Sequence, residues 1–289
     1  PDRSLMVEQL ISGSSMNRRI SKWEDVYGSI ERYLPNSYTI LPMGDPRYGK
    51  LNAGTFLGRE KHADGLASAP WTVDAGSLSA MGITYEGPGE IPVVDFDGSS
   101  DYLRADDNAY WSRDDSGAAP VTFTTWVNLD ADTASPTTWS KWNTATGREE
   151  YLLQVQEGPK YRLLVSDESS GARDIRTVDS ATGAVGQWHM WVVTYDGTGG
   201  ADPLGGSNCV IYHDGVAVAS SAEGSVSGYV AMENDIDRIN FGATNTGGNG
   251  FINGKVAGGP CGPIFTHTEM SAEEIAALYR IQAAALGVF

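Results

Sequence analysis

From Val93 onwards the sequence breaks into short runs of β-branched and aromatic residues, interrupted every eight to twelve positions by Gly, Asp, Asn or Ser. Punctuation at that spacing leaves too little chain for long helices and enough for antiparallel strands joined by tight turns, which is the pattern of a two-sheet sandwich. The expected strands are "VVDFDG", "DYLRA", "VTFTTWVNL", "TTWSKWN", "EYLLQVQ", "YRLLVSD", "RDIRTV", "WHMWVVTYD", "NCVIYHDGVAVAS", "DRINFGA" and "GKVAG". Within the ninth, Asp214-Gly215 separates two alternating runs and marks a hairpin turn that needs positive φ.

Helices are expected only at the two ends. Ile20, Trp23, Val26, Tyr27, Ile30 and Tyr33 recur at intervals of three and four, and Pro35 closes the pattern. Ser21 and Glu24 fit a capping box that either starts this helix or lies inside a longer one begun near Asn17. "SAEEIAALYRIQAAAL" opens with a second capping box, Ser271 and Glu274. The chain therefore divides into a helical arm over 1–35, an extended, mostly ordered connection over 36–92 draped on the domain after it, and a sandwich over 93–289. Aromatic residues Tyr38, Tyr48, Phe56, Trp71 and Tyr85 argue against a disordered connection.

In "WHMWVVTYD" strand alternation puts Trp188, Met190, Val192 and Thr194 on one face and His189, Trp191, Val193 and Tyr195 on the other. Both faces are mostly apolar, so the strand should be central and covered on both sides, or lie under a loop such as the 36–90 connection. His189 then reads as a hydrogen-bonded scaffold residue rather than a general base.

Four motifs, in order, resemble the laminin-G-like jelly rolls of the concanavalin A-like lectin/glucanase superfamily. They are "FDGSSDYL", "VTFTTWVNL", "GQWHMWVVTYDG…CVIYHDGVAV" and "FINGKVAGGPCGPIFTHTEMSAEEIAALY", covering about residues 93–286. The resemblance implies a mainly β fold: a two-sheet antiparallel jelly-roll sandwich, here with an N-terminal amphipathic helix arm and a C-terminal helix. "GGPCGP" departs from the family pattern, and its prolines imply that the closing strand is broken or at an edge.

Charge and motif content exclude several functions. Lys and Arg number 20 against 37 Asp and Glu, a formal net charge of −17 that repels a phosphate backbone, so nucleic acid is not an expected partner. Apolar runs fall short of the ~18 residues that cross a bilayer. No secretory signal is visible, which points to synthesis in the cytoplasm, with an extracellular location as the alternative. The four histidines lack metal-ligand spacing, and Cys209 and Cys261 are too few for a disulfide framework, though a single bridge stays open.

Three kinds of site remain. Sugar recognition needs exposed aromatic faces beside polar loop residues, and the candidates are Tyr110 and Trp111 in "DDNAYWSRDD", Trp139, Trp142 and Asn245; a place in the core or at its rim is the alternative for the aromatics, and the commoner one. The resemblance implies calcium held between loops, for which Asp95, Asp97 and Asp101 at the opening hairpin are the candidates; solvated turn carboxylates are the alternative. In "ENDIDRIN", Glu233, Asp235 and Asp237 have the alternate spacing that on a strand would aim three carboxylates into one cleft, as a jelly-roll glycoside hydrolase requires.

The expected function is that of a non-catalytic structural or binding protein. By analogy of architecture it fits a virus or phage particle component, decorating a capsid or associated with a tail, with a lectin-like jelly roll turned outward. The apolar stripe of the arm must be covered, by its own sandwich, as helical stripes usually are, or by another protein; in the particle reading Ile20, Trp23, Tyr27 and Ile30 would dock the arm on other structural proteins of the assembly or on a further copy of the chain. The alternatives are a carbohydrate-binding lectin module that meets surface glycans and a glycoside hydrolase.

Overall fold

The computed structural model describes residues 3–288 apart from 51–54, 62–69, 75–81, 114–118, 132–134, 157–159, 181–182, 224–225 and 245–249; at 3–14, 49–50, 55–56 and 73–74 it describes the backbone only. The expected sandwich is present as two antiparallel sheets. The first runs Val216–Ala217, Cys209–His213, His189–Tyr195, Val121–Leu129, Asn253–Ala257, Ile91–Asp97, Ile83–Glu86. The second runs Ser220–Ala222, Ala172–Val178, Lys160–Asp167, Arg148–Gln156, Thr137–Asn143, Ile239–Phe241, Tyr102–Ala105, Trp71–Asp74, Thr55–Phe56, Gly49–Lys50.

Alternation decides which side chains meet. Phe123, Val127, Trp191, Val193 and Tyr195 point inward against Tyr151, Leu153, Tyr161 and Leu163 of the other sheet. Trp126, Met190 and Val192, on the opposite face of the same strands, are buried by the helices. The strand His189–Tyr195 is thus central, as its two apolar faces require. Its hairpin partner turns through Asp214 at φ +50° and Gly215 at φ +79°, the paired left-handed geometry that a two-residue hairpin demands.

The helix α1 spans Arg3–Ile30, so Ser21 and Glu24 lie inside it rather than at its start. The helix α2 spans Ala272–Leu286; Ser271 Oγ accepts from Glu274 N–H, and the Glu274 carboxylate accepts from Ser271 N–H. Trp23, Tyr27 and Ile30 of α1 and Ile275, Leu278 and Leu286 of α2 share a second core on the outer face of the first sheet. Their apolar stripes are therefore used within this chain. No helix among the described residues is long and apolar enough to cross a membrane.

The segment 36–92, expected as a draped connection, is woven into both sheets. It supplies Tyr38–Ile40, Arg59–Lys61 and Ile83–Glu86 to one and Gly49–Lys50, Thr55–Phe56 and Trp71–Asp74 to the other. The closing strand is broken at "GGPCGP". Asn253–Ala257 pairs with one half of Val121–Leu129, a 3₁₀ turn over Gly259–Cys261 follows, and Ile264–Thr266 pairs with the other half. Leu41 and Met43 cross this break backbone to backbone, with Leu41 N–H donating to Pro263 O and Gly259 N–H to Met43 O. Cys209 lies in the inter-sheet core and Cys261 in the outer one, so the two buried thiols stay apart and free.

Candidate functional site

Loops cluster at the two ends of the sandwich, and each end holds a group of polar side chains. At one end the register pairs Trp191 with His213, which brings His213 and Asp214 beside His189. His189 Nδ1 lies 2.9 Å from Asp214 Oδ2 and 3.0 Å from His213 Nε2, and His213 Nε2 lies 3.4 Å from Asp214 Oδ2. Three ligand atoms this close resemble a metal triad. The proton inventory argues otherwise: Ala184 N–H donates to His189 Nε2 at 2.9 Å, which makes that nitrogen an acceptor and leaves the neutral ring's proton on Nδ1. A metal-bound imidazole donates its other N–H instead. The trio is a hydrogen-bonded lock on the hairpin, in keeping with a scaffold role for His189.

Electrostatics supports the lock. Burial pushes His213 below the ordinary histidine value, only partly countered by Asp214, so its neutral form is favoured. Burial would raise Asp214, yet hydrogen bonds from His189 and from Met190 N–H bring it below its ordinary value. Gly183, at φ +87°, presses on both rings: a Cβ there would sit 2.9 Å from His189 Cδ2 and 3.2 Å from His213 Nε2. Beside the lock a depression opens towards the core, floored by Val127, Leu129 and Val155 and rimmed by Val185, Gln187 and His189. Val185 is exposed.

At the other end Lys141 and Glu150 are wholly buried. A bulge puts them face to face: Lys141 pairs with Tyr151 and Trp142 with Glu149, so Glu150 is the extra residue and turns inward. Lys141 Nζ lies 2.5 Å from Glu150 Oε1 and 3.1 Å from Asp107 Oδ1, and also reaches the Asp235 carbonyl. Burial pushes Glu150 up to about 7 although Lys141 pulls it down.

The sugar-platform candidates are placed in the core. Tyr110, Trp111 and Trp139 are at most 1% exposed, and Trp111 packs edge-on against Trp71 and Phe265. Trp142 is 5% exposed, hemmed by Leu152 and Leu164 with the Arg173 guanidinium 5.3 Å over its ring. None has a face open for stacking, and Asn245 lies outside the described residues.

Among the calcium candidates, Asp97 accepts hydrogen bonds from the N–H groups of Ser99, Ser100 and Asp101 and the hydroxyls of Ser99 and Ser100. Though burial opposes it, these bonds hold its carboxyl well below the usual range. Both oxygens thus serve the hairpin. Asp101 is buried and accepts Asp97 N–H, and Asp95 stands exposed on its strand.

The arm candidates are likewise committed. Trp23, Tyr27 and Ile30 are fully buried, Trp23 Nε1 donates to Glu90 O, and Ile20 packs on the same core. They hold the arm to its own sandwich, leaving no apolar face for a partner at Trp23, Tyr27 or Ile30 and only the half-buried side of Ile20. The hydrolase spacing also fails in three dimensions: residues 230–236 form a loop, and the strand begins only at Ile239. Glu233 accepts Ser169 N–H, Asp235 is buried beside Glu150, and Asp237 accepts Arg238 N–H.

Comparison with known proteins agrees with this architecture. A laminin G family model, described as concanavalin A-like lectin/glucanases superfamily, matches residues 97–258, more than half of the chain. No curated protein sequence matches it significantly. Among solved structures, the binding domain of botulinum neurotoxin serotype G aligns at TM-score 0.52 and 14% identity over 85% of this chain and 51% of that one. The binding domain of botulinum neurotoxin serotype D aligns at TM-score 0.51 and 13% identity over 84% and 50%. That of Paraclostridial Mosquitocidal Protein 1 aligns at TM-score 0.50 and 11% identity over 80% and 52%. The chain spans about half the length of these domains, and at such identities the likeness is one of fold.

Proposed function

The chain belongs to the concanavalin A-like lectin/glucanase superfamily, and from that premise we propose that it is a non-catalytic binding module taking its ligand at the loop end that carries Val185, Gln187 and His189. The observation that carries this reading is the shallow depression there, whose apolar floor lies beside the exposed side chains of Val185 and Gln187. Such a combination suits a sugar ring, whose C–H face needs apolar contact and whose hydroxyls need a few placed polar groups. The carboxylates and histidines that hydrolysis would require are engaged in backbone and side-chain bonds of the fold, which supports a binding role over a catalytic one.

A glycan array probed with and without calcium tests the proposal. Binding that Val185→Asp abolishes, with the fold kept, is the expected result; an array blank under both conditions overturns the carbohydrate reading. A role as a virus or phage particle component is the second reading. It is favoured by the length of α1, 28 residues over Arg3–Ile30, about twice the ordinary length of a globular helix. If a chain lacking residues 1–14 co-assembles with its particle as well as the full chain does, that reading falls.

A further inference from the structure

Lysine is rarely wholly buried, and a buried ammonium normally meets one compensating anion. Lys141 meets two carboxylates, the buried Glu150 and the half-buried Asp107 of the loop after Ala105. Glu150 is further held by Asp235 N–H at 2.6 Å and Arg113 N–H at 3.3 Å, so its place is fixed by three donors. Asp107 is not held in this way: its Oδ1 is buried, lies 3.1 Å from Nζ outside hydrogen-bonding geometry, and has no hydrogen-bond partner. The buried amine, a second buried carboxyl touching it and the half-buried, loosely bonded Asp107 carboxyl are therefore assembled in one cluster.

We propose that Lys141 Nζ and the Asp107 carboxyl condense into an intramolecular isopeptide bond, with Glu150 as the acid–base that relays the proton. The ammonium first yields a proton through Glu150 to Asp107, leaving a neutral amine and a carboxylic acid. Nζ then attacks the Asp107 carbonyl carbon; a C–N bond forms, a proton passes from Nζ through Glu150 to the departing oxygen, and the C–O bond breaks with release of one water. Glu150 ends as it began, and no oxidant or other co-reactant is needed. Its position favours the relay, because a carboxyl that burial raises to about 7 is able both to take and to give a proton near neutrality. Lys141 is fixed in the core with the Asp107 carboxyl 3.1 Å away, and this proximity lowers the entropic barrier. The product replaces the Lys141–Asp107 ion pair by a neutral amide and so removes the cost of burying the ammonium, leaving Glu150 in its neutral form. The bond would tie the loop after Tyr102–Ala105 to the strand Thr137–Asn143, across the intervening strand Ile239–Phe241.

Intact-mass spectrometry of the full chain, as purified and after a day at pH 7, tests this. The expected mass is one water below that of the sequence. Tryptic digestion should then give a branched peptide joining the Asp107 and Lys141 segments, with no cleavage after the acylated Lys141. The full sequence mass overturns the proposal. So does a loss of water with Lys141 still cleaved, since a succinimide at an Asp-Gly pair such as Asp214-Gly215 has the same mass effect. Glu150→Gln, nearly isosteric, should return the full mass in a protein whose circular dichroism is native; a link formed as fully as in the wild type removes Glu150 from the mechanism. Asp107→Ala should carry no link and should melt at a lower temperature than the linked chain.

Discussion

Asp214 binds both sides of the hairpin it turns: its Oδ2 lies 2.9 Å from His189 Nδ1 and its Oδ1 accepts Met190 N–H at 2.8 Å. One carboxylate thus fixes the turn and the start of the central strand. Asp214→Ala removes both acceptors and is expected to destabilise the protein by about 2–4 kcal/mol, since each half-buried donor left unpaired costs about 1–3 kcal/mol. Asp214→Asn, which keeps one carbonyl acceptor, should cost less. Urea denaturation of the three proteins measures the order; equal stabilities would contradict the lock.

The same trio sets a pH dependence. His213 is depressed in the folded state, below the ordinary 6.5. Between the two values the unfolded chain binds more protons, so this residue's contribution is full above about 6.5 and is lost as pH falls through the window. Asp214 is also depressed, below 3.8, and its contribution persists until the pH falls beneath that value. Buried Glu150, raised to about 7, works the other way over this range, so the His213 contribution is read as a difference: the stability of the wild type relative to His213→Gln should fall between pH 7 and 5.5. Parallel pH profiles for the two would show that His213 is not the titrating group.

Trp126 and Gln282 couple the first sheet to α2. Trp126 Nε1 donates to Gln282 Oε1 at 2.8 Å, and Gln282 Nε2 donates to Pro260 O at 2.9 Å, both inside the outer core. Gln282→Ala orphans a buried donor and a buried acceptor, and is expected to cost about 2–5 kcal/mol. Gln282→Glu keeps the acceptor but turns a carboxylate towards Pro260 O in a wholly buried site, and should be no more stable than Gln282→Ala at neutral pH. Thermal melts followed by tryptophan fluorescence rank the three, and a neutral Gln282→Ala would refute the bridge.

How much of this was readable from residues depended on the range over which each feature is determined. "TTWSKWN" coincides with the strand Thr137–Asn143, and Ser271 with Glu274 marks the start of α2, because alternation and capping are local. Strands of two to four residues such as Thr55–Phe56 and Trp71–Asp74 carry no periodicity of their own and exist through distant partners. Tyr110 and Trp111 stand in an acidic stretch that suggests solvent, yet the turn closed by Trp111 N–H on Asn108 O tucks both rings under Phe265. Simple alternation would place Glu150 with Leu152 on the outer face; the bulge beside Trp142 turns it in, and nothing in the residue types signals that bulge. The histidine–aspartate lock likewise arises from strand register, between positions 24 and 25 residues apart.

Gly262 explains why a glycine-rich insert breaks the closing strand. A Cβ at that position would lie 2.0 Å from Leu41 O, a backbone atom that cannot move without releasing the Leu41 N–H bond to Pro263 O. Gly262→Ala should fail to accumulate as folded protein, or melt far below the wild type. Gly147→Ala is the control: its φ is +74° but no atom lies within 4 Å, so only the left-handed backbone is strained, at about 1–2 kcal/mol. Similar melting of the two variants would mean that the Leu41 crossing yields more readily than its bonds imply.

The buried stripe of α1 turns a question about partners into one about stability. Trp23 is fully buried, stacks on Tyr85 at 6.3 Å and bonds Glu90 O, while Glu90 in turn pairs with Arg19 and Lys22 across the same junction. Trp23→Ala should therefore cost about 3–5 kcal/mol, the usual range for emptying a tryptophan site. Removing residues 1–34 should go further, uncovering Ile40, Met190, Val192 and Ile264 on the outer face of the first sheet. Contiguous apolar surface of that kind drives association, so the truncated chain should aggregate or bind a hydrophobic dye, both measurable by light scattering and fluorescence. An arm that served chiefly as an external anchor predicts the opposite: a truncated protein as soluble and as stable as the full chain. Light scattering of the two forms at equal concentration decides between them, because the same four side chains, Ile20, Trp23, Tyr27 and Ile30, cannot be both the lid of this core and a face presented to a partner.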